Sequence, residues 1–123
     1  MKTDLGRVRG LGSAKTGTHH WWVQRITAIA MAILMSWFVV SLLGLIGADY
    51  EAALAWVRNP VVAVLLLLLI GTAFYHMRLG LQVVIEDYLH GATRIAAIVA
   101  LNFGSATLAA ACLFSVLKVS FGA

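Results

Sequence analysis

Three long runs of hydrophobic residues alternate with short polar segments along this 123-residue chain. The runs cover residues 22–47, 61–86 and 93–119, and each is longer than the roughly 20 apolar residues that a helix needs to cross a bilayer. The pattern therefore predicts an all-α protein with three transmembrane helices. Residues 1–20, which are rich in glycine and basic side chains, are predicted to form an aqueous-side arm before the three-helix unit of residues 21–123.

The segments between the spans are short. The first loop, ADYEAALAWVRNP, has room for a turn of interfacial helix, and Pro60 at its end suits the first turn of the next helix. The second loop, DYLHGAT, is a tight turn in which Gly91 is expected to end the second span. Small residues such as Gly44, Gly71 and Gly104 suit close contact between membrane helices. We therefore expect the spans to join a larger helical bundle with partner subunits.

Composition supports a membrane protein and excludes several kinds of site. Hydrophobic residues make up 62% of the chain and charged residues only 11%, whereas a soluble domain carries about 25% charged residues. Cys112 is the single cysteine, which excludes a disulfide within the chain and any site built from several cysteines, such as an iron–sulfur cluster.

Charge predicts the orientation of the spans. Basic residues cluster at the start of the chain: Lys2, Arg7, Arg9, Lys15 and Arg25. The first loop instead carries Asp49 and Glu51 against Arg58. Because Lys and Arg mark the inner side of short loops, the N-terminus is predicted on the cytoplasmic or matrix side of an inner membrane. We interpret the basic end as this topology signal rather than as a nucleic-acid-binding tail.

The second span contains ionisable residues, which are rare at membrane depth and usually functional. In a helix, His76, Gly80, Val83 and Asp87 lie on one stripe, and His76 and Asp87 are roughly 16 Å apart along the axis. Histidine is a common axial ligand of haem, and a glycine one turn away would let a flat porphyrin approach the backbone. An interhelical hydrogen bond or a proton relay at His76 stays open from spacing alone.

The remaining polar residues of the inner face also admit two interpretations. Asp87 and Tyr88 fit either a quinone head-group site or an ordinary interfacial belt and turn. Arg25, one turn into the membrane, needs a carboxylate or a propionate, and His19 and His20 fit solvated interfacial positions. For Arg78 a haem propionate, a partner carboxylate and snorkelling all remain open.

Two motifs resemble a known family. The first span begins R-x-T-A-I at residues 25–29, and the second contains H-x-x-x-G-x-x-x-V-x-x-D-Y at residues 76–88. Together with three spans and an inner N-terminus, these motifs resemble the small hydrophobic membrane anchors of succinate dehydrogenase (respiratory complex II). The segment GLQVVIEDYLH (residues 80–90) is most similar to alpha-proteobacterial and mitochondrial-type members of the family. The resemblance extends over nearly the whole chain.

The resemblance implies roles for individual residues. His76 would be an axial ligand of the iron of haem b, with Gly80 beside the haem and the second axial ligand supplied by the partner anchor, the cytochrome b subunit. Arg25 would lie near the haem propionates and the quinone. Tyr88 would donate a hydrogen bond to ubiquinone, with Asp87 next to it. The family motif assigns nothing to Arg78, His19 or His20.

The implied function is that of an anchor within a succinate:ubiquinone oxidoreductase. Such an anchor holds a flavoprotein subunit, which oxidises succinate, and an iron–sulfur subunit, which passes electrons to ubiquinone. It performs no dehydrogenation itself. Two alternatives stay open: an anchor of a menaquinone-linked fumarate reductase, and a haem-free structural or transport protein whose His76 and Arg78 serve packing or proton relay.

Overall fold

The computed structural model describes residues 3–10, 12 and 16–122. The described residues form helices in the order α1 (Asp4–Val8), α2 (Thr16–Gly44), α3 (Tyr50–Arg58), α4 (Pro60–Tyr88) and α5 (Gly91–Ser120). Helices α2, α4 and α5 are long and apolar enough to cross a membrane. The predicted all-α fold with three membrane spans is therefore confirmed.

The helices extend beyond the apolar runs that predicted them. Helix α2 begins at Thr16 rather than at residue 22, so the last residues of the predicted arm are already helical. Helix α4 continues to Tyr88 rather than stopping at residue 86. Hydropathy detects only the part of a helix that lies in hydrocarbon. The backbone hydrogen bonds continue into the interface, where polar side chains such as His19 and Asp87 are tolerated.

The loop residues set where the helices begin. The Asn59 side chain accepts a hydrogen bond from the Val61 amide (2.9 Å), and Pro60 occupies the first turn of α4 as predicted. The prediction for Gly91 was wrong in detail, because α4 ends at Tyr88 and Gly91 is the first residue of α5, with φ +64°. Only two extended residues separate these helices. The chain therefore reverses at Gly91, where the left-handed backbone conformation has little energetic cost because glycine has no Cβ atom.

Helix α4 lies between α2 and α5 and packs on both. The buried apolar side chains of the described residues all belong to α4: Ala63, Leu66, Leu69 and Leu79. The outer faces of the neighbouring helices remain apolar and exposed, as Ile33 (67%) and Phe103 (72%) illustrate. Such faces are stable only against lipid or other membrane helices.

Helix α3 joins the ends of the other helices at the membrane face opposite the start of α2. The Trp56 ring stacks on Trp37 of α2 with the ring centres 6.0 Å apart, and Phe38 lies beside them. Arg58 Nε donates a hydrogen bond to the Val119 carbonyl near the end of α5 (3.3 Å). The interfacial turn expected in the first loop is thus a nine-residue helix that contacts both outer spans.

Arg78 points to α5. Its Nε donates a 2.7 Å hydrogen bond to Asn102 Oδ1, and the buried hydroxyl residue Ser105 lies about one turn further along α5. The partner is therefore a neutral amide of this chain, which was not among the groups that the sequence suggested. The bond ties α4 to α5 within the membrane span.

Replacing Asn102 by leucine tests this bond. Asn102→Leu removes the acceptor of the Arg78 guanidinium in a low-dielectric setting, and we expect a loss of about 1–2 kcal/mol in the free energy of unfolding. Thermal unfolding of the purified chain in detergent micelles measures the loss. Phe103→Leu, on the neighbouring exposed position, is the control. Equal melting temperatures for the two variants would contradict an energetic role for the bond.

Candidate functional site

His76 is held by a polar contact between the first two spans. Its Nδ1 lies 3.0 Å from the hydroxyl oxygen of Thr27, and both side chains are partly buried between α4 and α2. The same hydroxyl lies 2.7 Å from the Val23 carbonyl and 3.1 Å from the Gln24 carbonyl of its own helix. The imidazole is thus fixed to α2 through one ring nitrogen.

A cleft of about 560 Å³ opens between α2 and α4 beside His76. Its lining residues come from one face of α2 and one face of α4: Gly17, His20, Trp21, Gln24, Arg25, Ala28, His76, Gly80 and Val83. The residues from α4 are part of the stripe that helical spacing predicted. The structure therefore brings together three of the predicted site residues, His76, Gly80 and Arg25.

The wall of this cleft has open space beside Gly80 and contains a buried polar atom without a hydrogen-bond partner. A methyl group added at Gly80 would meet no atom within 4 Å apart from the adjacent residues and the backbone of its own helix, so the packing of this chain against itself does not require glycine there. Among the described residues, the Gln24 side-chain oxygen is the buried side-chain polar atom that has no hydrogen-bond partner. Buried polar atoms normally have partners, so the chain by itself leaves one polar group of the cleft unsatisfied.

Arg25 stands at the rim of the cleft with its charge exposed. Its guanidinium carbon lies 5.3 Å from the centre of the Trp21 ring, within the distance of a cation–π contact. The contact holds the side chain on α2 without neutralising its charge. Arg25 can therefore still bind an anionic group presented at the cleft.

Asp87 and Tyr88 lie outside this cleft. They are the last residues of α4, both are exposed, and Tyr88 keeps 78% of its surface accessible. They occupy the same end of the bundle as the start of α2, because His20 and Glu86 line a second cleft of about 390 Å³ between these helices. The structure does not bring Asp87 or Tyr88 into contact with His76.

Sequence reasoning missed several of the lining residues. Thr27, which contacts His76 without lining the cleft, is predicted only as part of the R-x-T-A-I motif. His20 is predicted at a solvated interfacial position, and the sequence predicts no site role for the lining residues Gly17, Trp21 and Gln24. Their spacing from Gly17 onward is that of one helix face, which was the available signal. A span predicted to begin at residue 22 leaves Gly17, His20 and Trp21 outside the helix, so hydropathy alone does not reveal this face.

The described residues contain no group of three or more His, Cys, Asp or Glu side chains that could hold a metal ion. Two imidazoles of the described residues line the cleft beside Gly80, those of His76 and His20. A metal bound there would need further ligands from a prosthetic group or from another protein chain.

Comparison with known proteins decides the family. A family model described as the succinate dehydrogenase/fumarate reductase transmembrane subunit matches residues 1–117. The chain belongs to this family. The resemblance drawn from residues 25–29 and 76–88 is therefore confirmed, and the chain is a multi-pass membrane protein.

Curated relatives carry the same assignment. The succinate dehydrogenase hydrophobic membrane anchor subunit of Paracoccus denitrificans is 35% identical over 122 residues, which cover 98% of this chain and 94% of the relative. The corresponding protein of Rickettsia bellii is 36% identical, over 72% of this chain and 71% of the relative. The membrane anchor subunit of Reclinomonas americana is 31% identical, over 68% and 73%. No solved structure matches the chain significantly.

Replacing Gly80 by alanine tests whether the glycine serves the chain's own fold. The added methyl meets open space, and alanine favours helix over glycine by up to about 1 kcal/mol. We expect Gly80→Ala to insert and accumulate at least as well as the wild type when the chain is produced without partner subunits. Gly71→Ala, equally open and on the α5 side of α4, is the matched control. If Gly80→Ala failed to accumulate while Gly71→Ala accumulated normally, the glycine at position 80 would be needed for packing within the chain.

Proposed function

We propose that this chain is the membrane-anchor subunit of a succinate:ubiquinone oxidoreductase. With the cytochrome b subunit it holds the iron–sulfur and flavoprotein subunits on the inner membrane face, and it contributes half of a haem b site and part of the ubiquinone site. The observation that carries the proposal is the cleft at His76, in an anchor-family chain, beside a glycine with open space. Succinate oxidation itself belongs to the flavoprotein subunit.

The residues of the cleft fit a haem. His76 offers an imidazole whose other ring nitrogen is bound to Thr27, and the bare backbone at Gly80 leaves room for a flat macrocycle. Arg25 carries the positive charge that propionates require. A bound haem supplies a one-electron redox centre. In this proposal His76 would bind the haem iron, and a residue of the cytochrome b subunit would complete the coordination of the iron.

Tyr88 and Asp87 form this chain's part of the ubiquinone site. The Tyr88 phenol donates a hydrogen bond to a quinone carbonyl, and the Asp87 carboxylate orients it or carries a proton towards the reduced quinone. Their exposure at the end of α4 suits a pocket that other subunits complete. The basic N-terminal segment favours the inner side of the membrane for this end of the bundle.

A menaquinone-linked fumarate reductase anchor is the second candidate, because the matching family description covers both enzymes. Cofactor potentials and the type of quinone decide the direction of catalysis, and the residues of this chain do not set either. Both candidates use the same cleft.

Replacing His76 tests the haem assignment. In membranes that contain all four subunits, we expect His76→Ala to abolish the b-type α-band in the dithionite-reduced minus oxidised spectrum, because the iron loses an axial ligand. His90→Ala, an exposed histidine before α5 without a side-chain capping bond, should keep the band. If the band persisted in an assembled His76→Ala complex, His76 would not be a haem ligand. It would then serve packing or proton relay, as in the haem-free alternative.

Replacing Tyr88 tests the quinone assignment. Tyr88→Phe removes one hydrogen-bond donor, and a bond worth about 1.4 kcal/mol in the transition state corresponds to roughly tenfold in rate. We expect kcat/KM for ubiquinone to fall about tenfold while succinate-dependent dye reduction, which reports the flavoprotein, stays unchanged. Tyr50→Phe, similarly exposed at the opposite end of the bundle, is the control. Wild-type quinone turnover in the assembled Tyr88→Phe complex would rule out this role of the phenol.

A further inference from the structure

We infer that Thr27 is a positioning residue for His76: its hydroxyl oxygen accepts a hydrogen bond from Nδ1–H and so keeps Nε2 unprotonated and available to a metal. The inference rests on the proposed function, in which His76 binds haem iron. Thr27 lies on α2 while His76 lies on α4, so the state of the ligand is set by a neighbouring span.

A proton count across three short contacts supports this direction. A threonine hydroxyl has one proton to donate and two lone pairs to accept with. Thr27 Oγ1 lies 2.7 Å from the Val23 carbonyl oxygen, which is a normal length for an O–H···O bond. The contact to the Gln24 carbonyl is longer, at 3.1 Å. We therefore assign the Thr27 hydroxyl as the donor to the Val23 carbonyl oxygen.

The same count fixes the tautomer of His76. Because the Thr27 hydroxyl donates its one proton to the Val23 carbonyl, Thr27 Oγ1 can only accept a further bond, so the His76 nitrogen 3.0 Å away must carry a proton. The opposite assignment would leave two acceptor oxygens 2.7 Å apart with no proton between them. In a neutral imidazole with Nδ1–H, Nε2 carries the lone pair. Among the described residues Nε2 has no hydrogen-bond partner, and His76 lines the cleft.

The hydroxyl is also held rigidly. Threonine is branched at Cβ and restricted in χ1, and the bond to the Val23 carbonyl fixes its oxygen to the backbone of α2. The imidazole plane is therefore set by a backbone-anchored acceptor. A carboxylate would hold the same proton more strongly, but a charge at this depth costs several kcal/mol. A neutral hydroxyl that is satisfied by its own helix avoids that cost.

The bond has a consequence that packing alone would not have. Donation from Nδ1–H makes the other nitrogen a more basic ligand, and a more basic ligand favours ferric over ferrous iron. Removing the acceptor should therefore raise the reduction potential of the haem and weaken its retention. Loss of a hydrogen-bond partner behind a metal-binding histidine typically lowers metal affinity about 10- to 100-fold.

Three substitutions separate the hydroxyl from the shape of the side chain. Thr27→Val keeps the branched shape and loses the acceptor, Thr27→Ser keeps the acceptor and loses the methyl group, and Thr27→Ala loses both. Each of these variants is made separately in the complete four-subunit complex. His76→Ala is made as a further single variant. Redox titration of the α-band gives the haem potential, and transfer of haem to apomyoglobin in detergent gives the rate of haem loss.

We expect Thr27→Val and Thr27→Ala to raise the potential and to speed haem loss about 10- to 100-fold, while Thr27→Ser stays near the wild type. Should Thr27→Val fail to assemble, Thr27→Ala decides. Wild-type values in the hydroxyl-free variants would overturn the inference, as would a Thr27→Ser variant that changes as much as Thr27→Val, because the methyl group would then be responsible.

The design also separates this inference from the function on which it rests. If the wild-type complex has a b-type band that His76→Ala removes, the haem assignment stands whatever the Thr27 variants do. If no band depends on His76, the haem assignment fails and the role of Thr27 towards it fails with it.

Discussion

The scarcity of hydrogen-bond partners inside a bilayer governs how this bundle is built. Polar groups at membrane depth must find partners within the protein, and two polar residues in the middle of α4 do so on different sides. His76 contacts Thr27 of α2, and Arg78 donates to Asn102 of α5. Two residues along a helix are separated by about 200° around its axis. The pair therefore ties α4 to one neighbour on each side, in keeping with its central position.

The same arrangement leaves the bundle incomplete. With α4 in the middle, the outer faces of α2 and α5 stay apolar and exposed, and the cleft beside His76 keeps an unpartnered amide oxygen and an open glycine. Those features are expected of a chain that is completed by lipid and by other subunits. They agree with its membership in a family of transmembrane subunits.

Much of the fold and part of the site could be predicted because the signals are local. Three apolar runs gave the spans, Pro60 marked the start of α4, and helical spacing put His76 and Gly80 on one face. The helix ends were less accurate, since hydropathy stops at the edge of the hydrocarbon while the helix does not. That error hid the lining residues Gly17 and His20, because residues assigned to an arm cannot be placed on a helix face.

The sequence by itself determined the class of protein, the number of spans and the residues whose chemistry is unusual at membrane depth, because hydropathy and helical periodicity depend only on neighbours along the chain. The tertiary structure alone decided which polar residues meet. Thr27 and His76 are 49 positions apart, and Arg78 and Asn102 are 24 apart. Neither periodicity nor charge links such distant positions, since the rotation of each helix is set by its packing against the next.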